Sequence, residues 1–156
     1  MKSDSNITIK EVISSDELKK FVMFPHTLYK DSKYWVAPII KEELEVLNKE
    51  TNPVFNNAVA HYFLAYIDGE IVGRIAALIN WIEVKDLKKK KVRFGWFDFI
   101  DNQNVSKALL EKVIEIGKKN NLEFIEGPVG FSNMDKAGML IKGFEKKNTM
   151  ITMYNY

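Results

Sequence analysis

The 156-residue sequence contains no cysteine, which removes disulfides, thiolate nucleophiles and thiolate metal sites from consideration. Its two histidines, His26 and His61, lack a Ser or Cys partner nearby and lack metal-ligand spacing, so both are expected to be structural. No apolar run approaches the ~20 residues of a spanning helix, and Met1 to Lys10 lacks the apolar core of a signal sequence. A soluble cytoplasmic protein with no membrane partner is expected. Charge of one sign is also scarce. A net +2 without a concentrated basic face gives no reason to expect a nucleic-acid partner. The one dense basic run, Lys88 to Lys91, reads as a solvated loop between strands. No internal repeat or low-complexity linker is visible. What is present is a 46% hydrophobic content, enough for one full core, so residues 1–156 are expected to form a single domain.

Along the chain, Asn6 to Val12 alternates apolar and polar residues as a half-buried strand would. Ser14 and Glu17 form a capping box ahead of a helix carrying Leu18, Phe21 and Val22, which Pro25 should end or kink. Trp35-Val36-Ala37-Pro38 leads into a second helix, Pro38 suiting its first turn and Ile40, Leu44 and Leu47 facing inward, until Asn52-Pro53 closes it. His61 to Ile67 and Glu70 to Ile82 flank Asp68-Gly69, a strong hairpin signal. The second of these strands is apolar on both faces and so central, with Ile71, Gly73, Ile75, Ala77 and Ile79 on one side and Val72, Arg74, Ala76 and Leu78 on the other.

The stretch from Lys91 to Phe144 is the most informative. Val92 to Ile100 is a short aromatic-rich strand, broken by Asp101 to Asn104. Ala108, Leu109, Val113 and Ile116 then take helical spacing on a helix starting at Val105 and capped by Asn104. Gly117 to Asn121 stops it, Leu122 to Glu126 is a strand, and Gly127-Pro128 ends that strand. Strand, helix and strand at this spacing imply a crossover between parallel strands. A further helix is expected from Asn133 to Gly143.

This order of elements resembles the GNAT superfamily of acyl-CoA-dependent N-acetyltransferases. Asn133, Ala137 and Gly143-Phe144 resemble the Asn, Ala and Gly-Phe of that family's helix after the fifth strand. Phe24-Pro25, Leu28-Tyr29, Trp35 to Pro38, Asn52-Pro53, Gly73-Arg74-Ile75-Ala76 and Gly127-Pro128 resemble a little-characterised bacterial branch, whose chains are about twice this length and carry a second GNAT-like half. The resemblance implies an α/β (α+β) fold with a mixed, mostly antiparallel central sheet of about six strands and helices on both faces. It also implies acetyl-CoA as co-substrate, a small-molecule amine as acceptor, and a homodimer or a second GNAT-like half as partner.

Three departures stand out. The family's pyrophosphate loop brings glycine backbone and helix-start N–H groups to phosphate, but Asn104 and Ser106 occupy the glycine places and Asp101 stands near the loop's Gln or Arg. The place of the family's tyrosine acid holds Leu140 or Ile141. After Thr149 to Tyr154 there is room for a sixth strand only, so the seventh is expected to be absent or supplied by another chain, this chain being a fragment or a pared-down member.

Acetyl transfer to an amine requires a base for the ammonium proton, donors to the thioester carbonyl and an acid for the thiolate. Asp98 is the first candidate base and Glu83 the second; Tyr154, with Tyr156 as alternative, is the candidate acid. The cofactor candidates are Phe99 and Ile100 along the thioester, Asn102, Gln103, Asn104, Val105, Ser106 and Lys107 at the phosphates, and Asn133. The alternative, that Asp98 is a buried structural carboxylate, carries the greater weight, and Arg74, unusual in an apolar strand, asks for a carboxylate such as Asp98 before an acidic ligand. Tyr34, Trp35, Trp81, Phe94, Trp96, Phe97 and Phe99 read as core or as an acceptor pocket. Two functions remain: an N-acetyltransferase on a small amine, and a catalytically silent module that binds a ligand or pairs with another such half.

Overall fold

A computed structural model describes residues 6–147 and residue 149. Its centre is the hairpin signalled by Asp68-Gly69. Both residues hold positive φ, 51° and 85°, the conformation of a two-residue turn that matches strand twist and that glycine adopts without strain. The turn pairs β2 (Ala58–Ile67) with β3 (Glu70–Asn80) antiparallel from Ile67↔Glu70 to Ala58↔Asn80. β1 (Thr8–Glu11) joins the outer edge of β2 antiparallel, and β4 (Lys91–Phe99) joins β3 antiparallel. β5 (Phe124–Glu126) lies parallel to β4, as the crossover reading requires. The described sheet is thus five-stranded, mixed and mostly antiparallel, in the order β1-β2-β3-β4-β5. The expected sixth strand, Thr149 to Tyr154, lies outside the described residues apart from Thr149.

Helix α4 (Gln103–Lys119) covers one face, its Val105, Leu109 and Val113 buried against Ile75, Ala77, Val92 and Phe94. Helices α1 (Ser15–Leu28) and α2 (Ile40–Leu47) cover the other, where Phe21, Leu47, Tyr62, Leu64, Leu78 and Trp96 form the second core. Each fully buried side chain of this size stabilises the fold by roughly 1.5–3 kcal/mol. The β2–β3 register shifts between Ala65 and Tyr66. The strict alternation expected along β3 therefore breaks near Val72, which packs on the α4 side with Ile75, while Ile71 packs on the other.

The Ser14–Glu17 capping box forms as expected, each side chain bonding the other's backbone. Four local expectations are corrected, and of the two effects expected of Pro25 the first does not occur. Pro25 lies inside α1 without ending it, because a buried partner from the sheet serves the Phe21 carbonyl that a proline cannot serve. Helix α2 starts at Ile40 with Ile39 as cap, so Pro38 precedes it. β3 stops at Asn80, whose side chain caps the short helix α3 (Trp81–Lys85) by accepting from Ile82 and Glu83 N–H. The cap of α4 is Asn102, two residues before the expected Asn104.

The last correction concerns residues 133–143, which form turns instead of a helix. Lys136 has φ +47° and Gly138 φ +93°, values that no right-handed helix contains.

Candidate functional site

The site is organised by an extra residue in β4. Arg74 pairs with Asp98 but Ala76 with Gly95, so three steps along β4 match two along β3. The excess is absorbed near Trp96, whose φ is +47°. Such a bulge exchanges the faces of a strand: Val92 and Phe94 face α4 before it, Phe97 and Phe99 after it. Trp96 and Asp98 are thereby turned together toward α1 and α2.

There Asp98 is 6% exposed and fully engaged. Its Oδ2 accepts from Arg74 Nε at 2.7 Å and its Oδ1 from the Tyr29 hydroxyl at 2.9 Å. Arg74 Nη1 donates to the Phe21 carbonyl at 2.8 Å, the acceptor that Pro25 leaves without a helical donor. The guanidinium also stands 5.1 Å from the centre of the Phe21 ring. The structure thus brings together Arg74 and Asp98 as the sequence suggested, and adds Tyr29. An ammonium approaching Asp98 would have to displace the Tyr29 hydroxyl.

A second buried group lies on the same face. Glu43 of α2 is 5% exposed, accepts from Trp96 Nε1 at 2.8 Å and is paired with Lys136, which also stands over the Trp96 ring. Burial pushes the Lys136 ammonium below its ordinary pKa, with Glu43 pulling the other way. His26 packs edge-on against Trp35, and its Nε2 is buried without a hydrogen-bond partner. Burial, with Arg74 adding to it, holds His26 below the ordinary imidazole value, so it is neutral at pH 7. Glu43 and Lys136 were not found by sequence reasoning. Glu43 had a signal, since it stands three residues after Ile40 and four before Leu47, on the inward face of α2. Lys136 had none, its partner being 93 residues away.

At the other end of β4, Glu83 receives both arms of Arg93, Nη2 at 2.5 Å and Nε at 3.0 Å, with Lys91 at 3.4 Å. Burial raises the Glu83 pKa, but Arg93 and Lys91 together outweigh it and the net shift is downward, the wrong direction for a proton acceptor near neutral pH. Arg93 also donates to the Asn133 Oδ1 at 2.7 Å and the Gly130 carbonyl at 3.3 Å. A cleft of about 280 Å³ lies beside this lock, lined by Glu126, Gly127, Pro128, Val129, Asn133, Ala137 and Gly138. Gly95 makes the close approach possible: a Cβ there would stand 2.6 Å from the Val129 carbonyl oxygen.

At the start of α4, Asn102 Oδ1 accepts the Asn104 N–H at 2.9 Å, and the Asn102 carbonyl accepts those of Val105 and Ser106. Gln103, Asn104 and Lys107 are exposed, Ser106 donates to the Gln103 carbonyl, and Val105 is wholly buried against Gly73. Phe99 and Ile100 pack on the α4-side core. An anion here would take over N–H groups that Asn102 now serves, with Lys107 on the same helix supplying positive charge and Asp101 opposing it. Tyr154 and Tyr156 lie outside the described residues. His61 is occupied by Glu11 at 2.6 Å. Trp96 and Phe97 are core residues, and Tyr34 is exposed. Among the described residues no cluster of His, Asp and Glu suits a metal ion, and no helix is long and apolar enough to cross a membrane.

No family model matches the sequence. It is 31% identical over 137 residues to Protein YghO of Escherichia coli, covering 88% of this chain and 35% of that protein. It is 26% identical over 144 residues to a bacterial ceramide synthase of Caulobacter vibrioides, covering 92% of this chain and 38% of that one. The chain therefore spans little more than a third of the length of these curated relatives. Among solved structures, a tandem GNAT protein from the clavulanic acid biosynthesis pathway matches 75% of this chain and 34% of its own, with TM-score 0.58 and 11% identity. A predicted acetyltransferase of Clostridium acetobutylicum, solved with acetyl-CoA, matches 77% and 79%, with TM-score 0.57 and 14% identity. An aminoglycoside acetyltransferase from an uncultured soil sample, bound to sisomicin, matches 80% and 78%, with TM-score 0.55 and 16% identity. The chain has the fold of the GNAT acetyltransferase superfamily.

Proposed function

We propose that this chain is the GNAT-fold part of an acyl-CoA-dependent N-acyltransferase. The observation that carries this reading is the early end of the pairing between β4 and β5. The two strands pair over Lys91–Arg93 and Val129 N–H adds one bond to the Phe94 carbonyl, while β4 runs on to Phe99 along β3. An extended thioester arm laid along β4 beyond that point would reach the α4 start with its phosphates, where Gln103 to Lys107 lie. Acetyl-CoA or a longer acyl-CoA would supply the thioester. The acceptor amine would enter from the α1 and α2 side, over Tyr29, with Asp98 buried beneath it. The likeness to a ceramide synthase supports an amine carried on a long alkyl chain.

In such a transfer the amine nitrogen bonds to the thioester carbon and gives up a proton, the C–S bond breaks and the leaving thiolate takes up a proton. This chain's own contribution would be to orient the acceptor: the bulge fixes Trp96 and Asp98, and Arg74 and Tyr29 hold the carboxylate in place. Two observations favour a second reading, a non-catalytic half that pairs with another GNAT unit. Both oxygens of Asp98 are already bonded, and Asn104 and Ser106 replace the loop glycines.

Calorimetric titration separates the two. Acetyl-CoA and a long-chain acyl-CoA are titrated into the protein and into its Asn104→Arg and Ser106→Glu variants. Micromolar binding that Ser106→Glu weakens at least about tenfold is the expected result. Absence of heat at millimolar ligand would leave the non-catalytic half standing.

A further inference from the structure

The stretch after Val129 is folded on itself and pinned to the rest of the protein, and yet several of its apolar side chains beyond Phe131 are left in water. Gly130 N–H donates to the Asp135 carbonyl, Phe131 N–H to Asp135 Oδ2, and Gly138 N–H to the Pro128 carbonyl. Asn133 is held by Arg93 and Lys136 by Glu43. Between and beyond these anchors Met134 is 95% exposed, Ile141 85% and Met139 43%. A single exposed apolar residue is ordinary, but three within eight positions of one stretch are not. Lys142, Lys146 and Lys147 follow them and are exposed, with Glu145 the one carboxylate among them. Asp135 is turned inward on the Gly130 turn and does not offset them.

Apolar side chains followed by lysines make up the surface that sits at the boundary between lipid headgroups and acyl chains. We propose that residues 134–147 form a peripheral docking surface for an anionic lipid bilayer. Met134, Met139 and Ile141 enter the acyl-chain boundary, and Lys142, Lys146 and Lys147 meet the headgroup phosphates. The sequence argued against a spanning segment, and this surface needs none. The inference does not rest on the acyltransferase reading, and its test involves neither acyl-CoA nor an amine.

Sedimentation with vesicles of phosphatidylglycerol and of phosphatidylcholine tests it. The protein is expected to pellet with the anionic vesicles and not with the neutral ones, and to be released by salt. Each Lys→Ala change at 142, 146 or 147 should weaken partition about fivefold. The double variant Met134→Asp, Ile141→Asp should abolish it while the thermal unfolding curve is unchanged; if that variant unfolds, Met134→Ser, Ile141→Ser takes its place. Three results would overturn the proposal. The first is no pelleting, as when another part of a longer chain covers the surface. The second is pelleting untouched by the double variant. The third is self-association in ultracentrifugation that the double variant removes, which would assign the surface to a second copy.

Discussion

His26 couples the fold to acidity through one atom. Its buried Nε2 has no partner, and burial with help from Arg74 holds its pKa below the ordinary 6.5. Above that value both folded and unfolded chains carry a neutral ring, and there is no penalty. As the pH falls through it, the unfolded chain takes up a proton that the folded chain still refuses, so stability is lost until the folded pKa is also passed. The loss of stability between pH 7.5 and pH 5.5 in urea melts should therefore shrink in His26→Phe, which keeps the contact with Trp35 and has no nitrogen to titrate. At this scale the sequence was legible where chemistry was unusual. Arg74 in an apolar strand announced a carboxylate, and Asp98 is that carboxylate. Tyr29, Glu43 and Lys136 were not legible as partners, because the spacing of side chains from different elements is set only when the layers have packed.

Among the elements, those whose signals are local were read well. The Asp68-Gly69 turn, the Ser14–Glu17 box and the face of α4 each depend on residues within a few positions of one another. The start of α4 was displaced because Asn102 and Asn104 are equally good caps by type, and the choice follows from where the end of β4 delivers the chain. Replacing Asn102 with Ala should cost about 1 kcal/mol, whereas Asn104→Ala should stay within about 0.5 kcal/mol, as read from denaturant midpoints at constant slope. Residues 133–143 failed for another reason. Met134, Ala137 and Ile141 satisfy helical spacing, but Asn133, Asp135 and Lys136 are each bonded elsewhere, to Arg93, the Phe131 N–H and Glu43. Those bonds outweigh the roughly three turns of helix they replace.

For the whole molecule, the alternation of strand and helix was enough to name the fold class. The bulge that organises the cleft was not visible, because Phe94-Gly95-Trp96-Phe97 carries apolar side chains on both faces and no parity can be read from it. Arg74 and Asp98 join neighbouring strands, and through Phe21 and Tyr29 they join the sheet to the helical layer. Arg74→Met should cost about 3–5 kcal/mol, since it strands a buried carboxylate and a buried carbonyl, while Arg74→Met with Asp98→Leu should cost less than the sum of the two single changes. Urea unfolding of the four proteins in that cycle measures the difference. The proline within α1 has a related consequence. By leaving one carbonyl for the sheet to satisfy, it makes the last turns of that helix depend on a strand for a bond that helices ordinarily make within themselves. The helix and the sheet therefore share a fate: local fraying at Pro25 is suppressed, and the segment opens only when the sheet beneath it does.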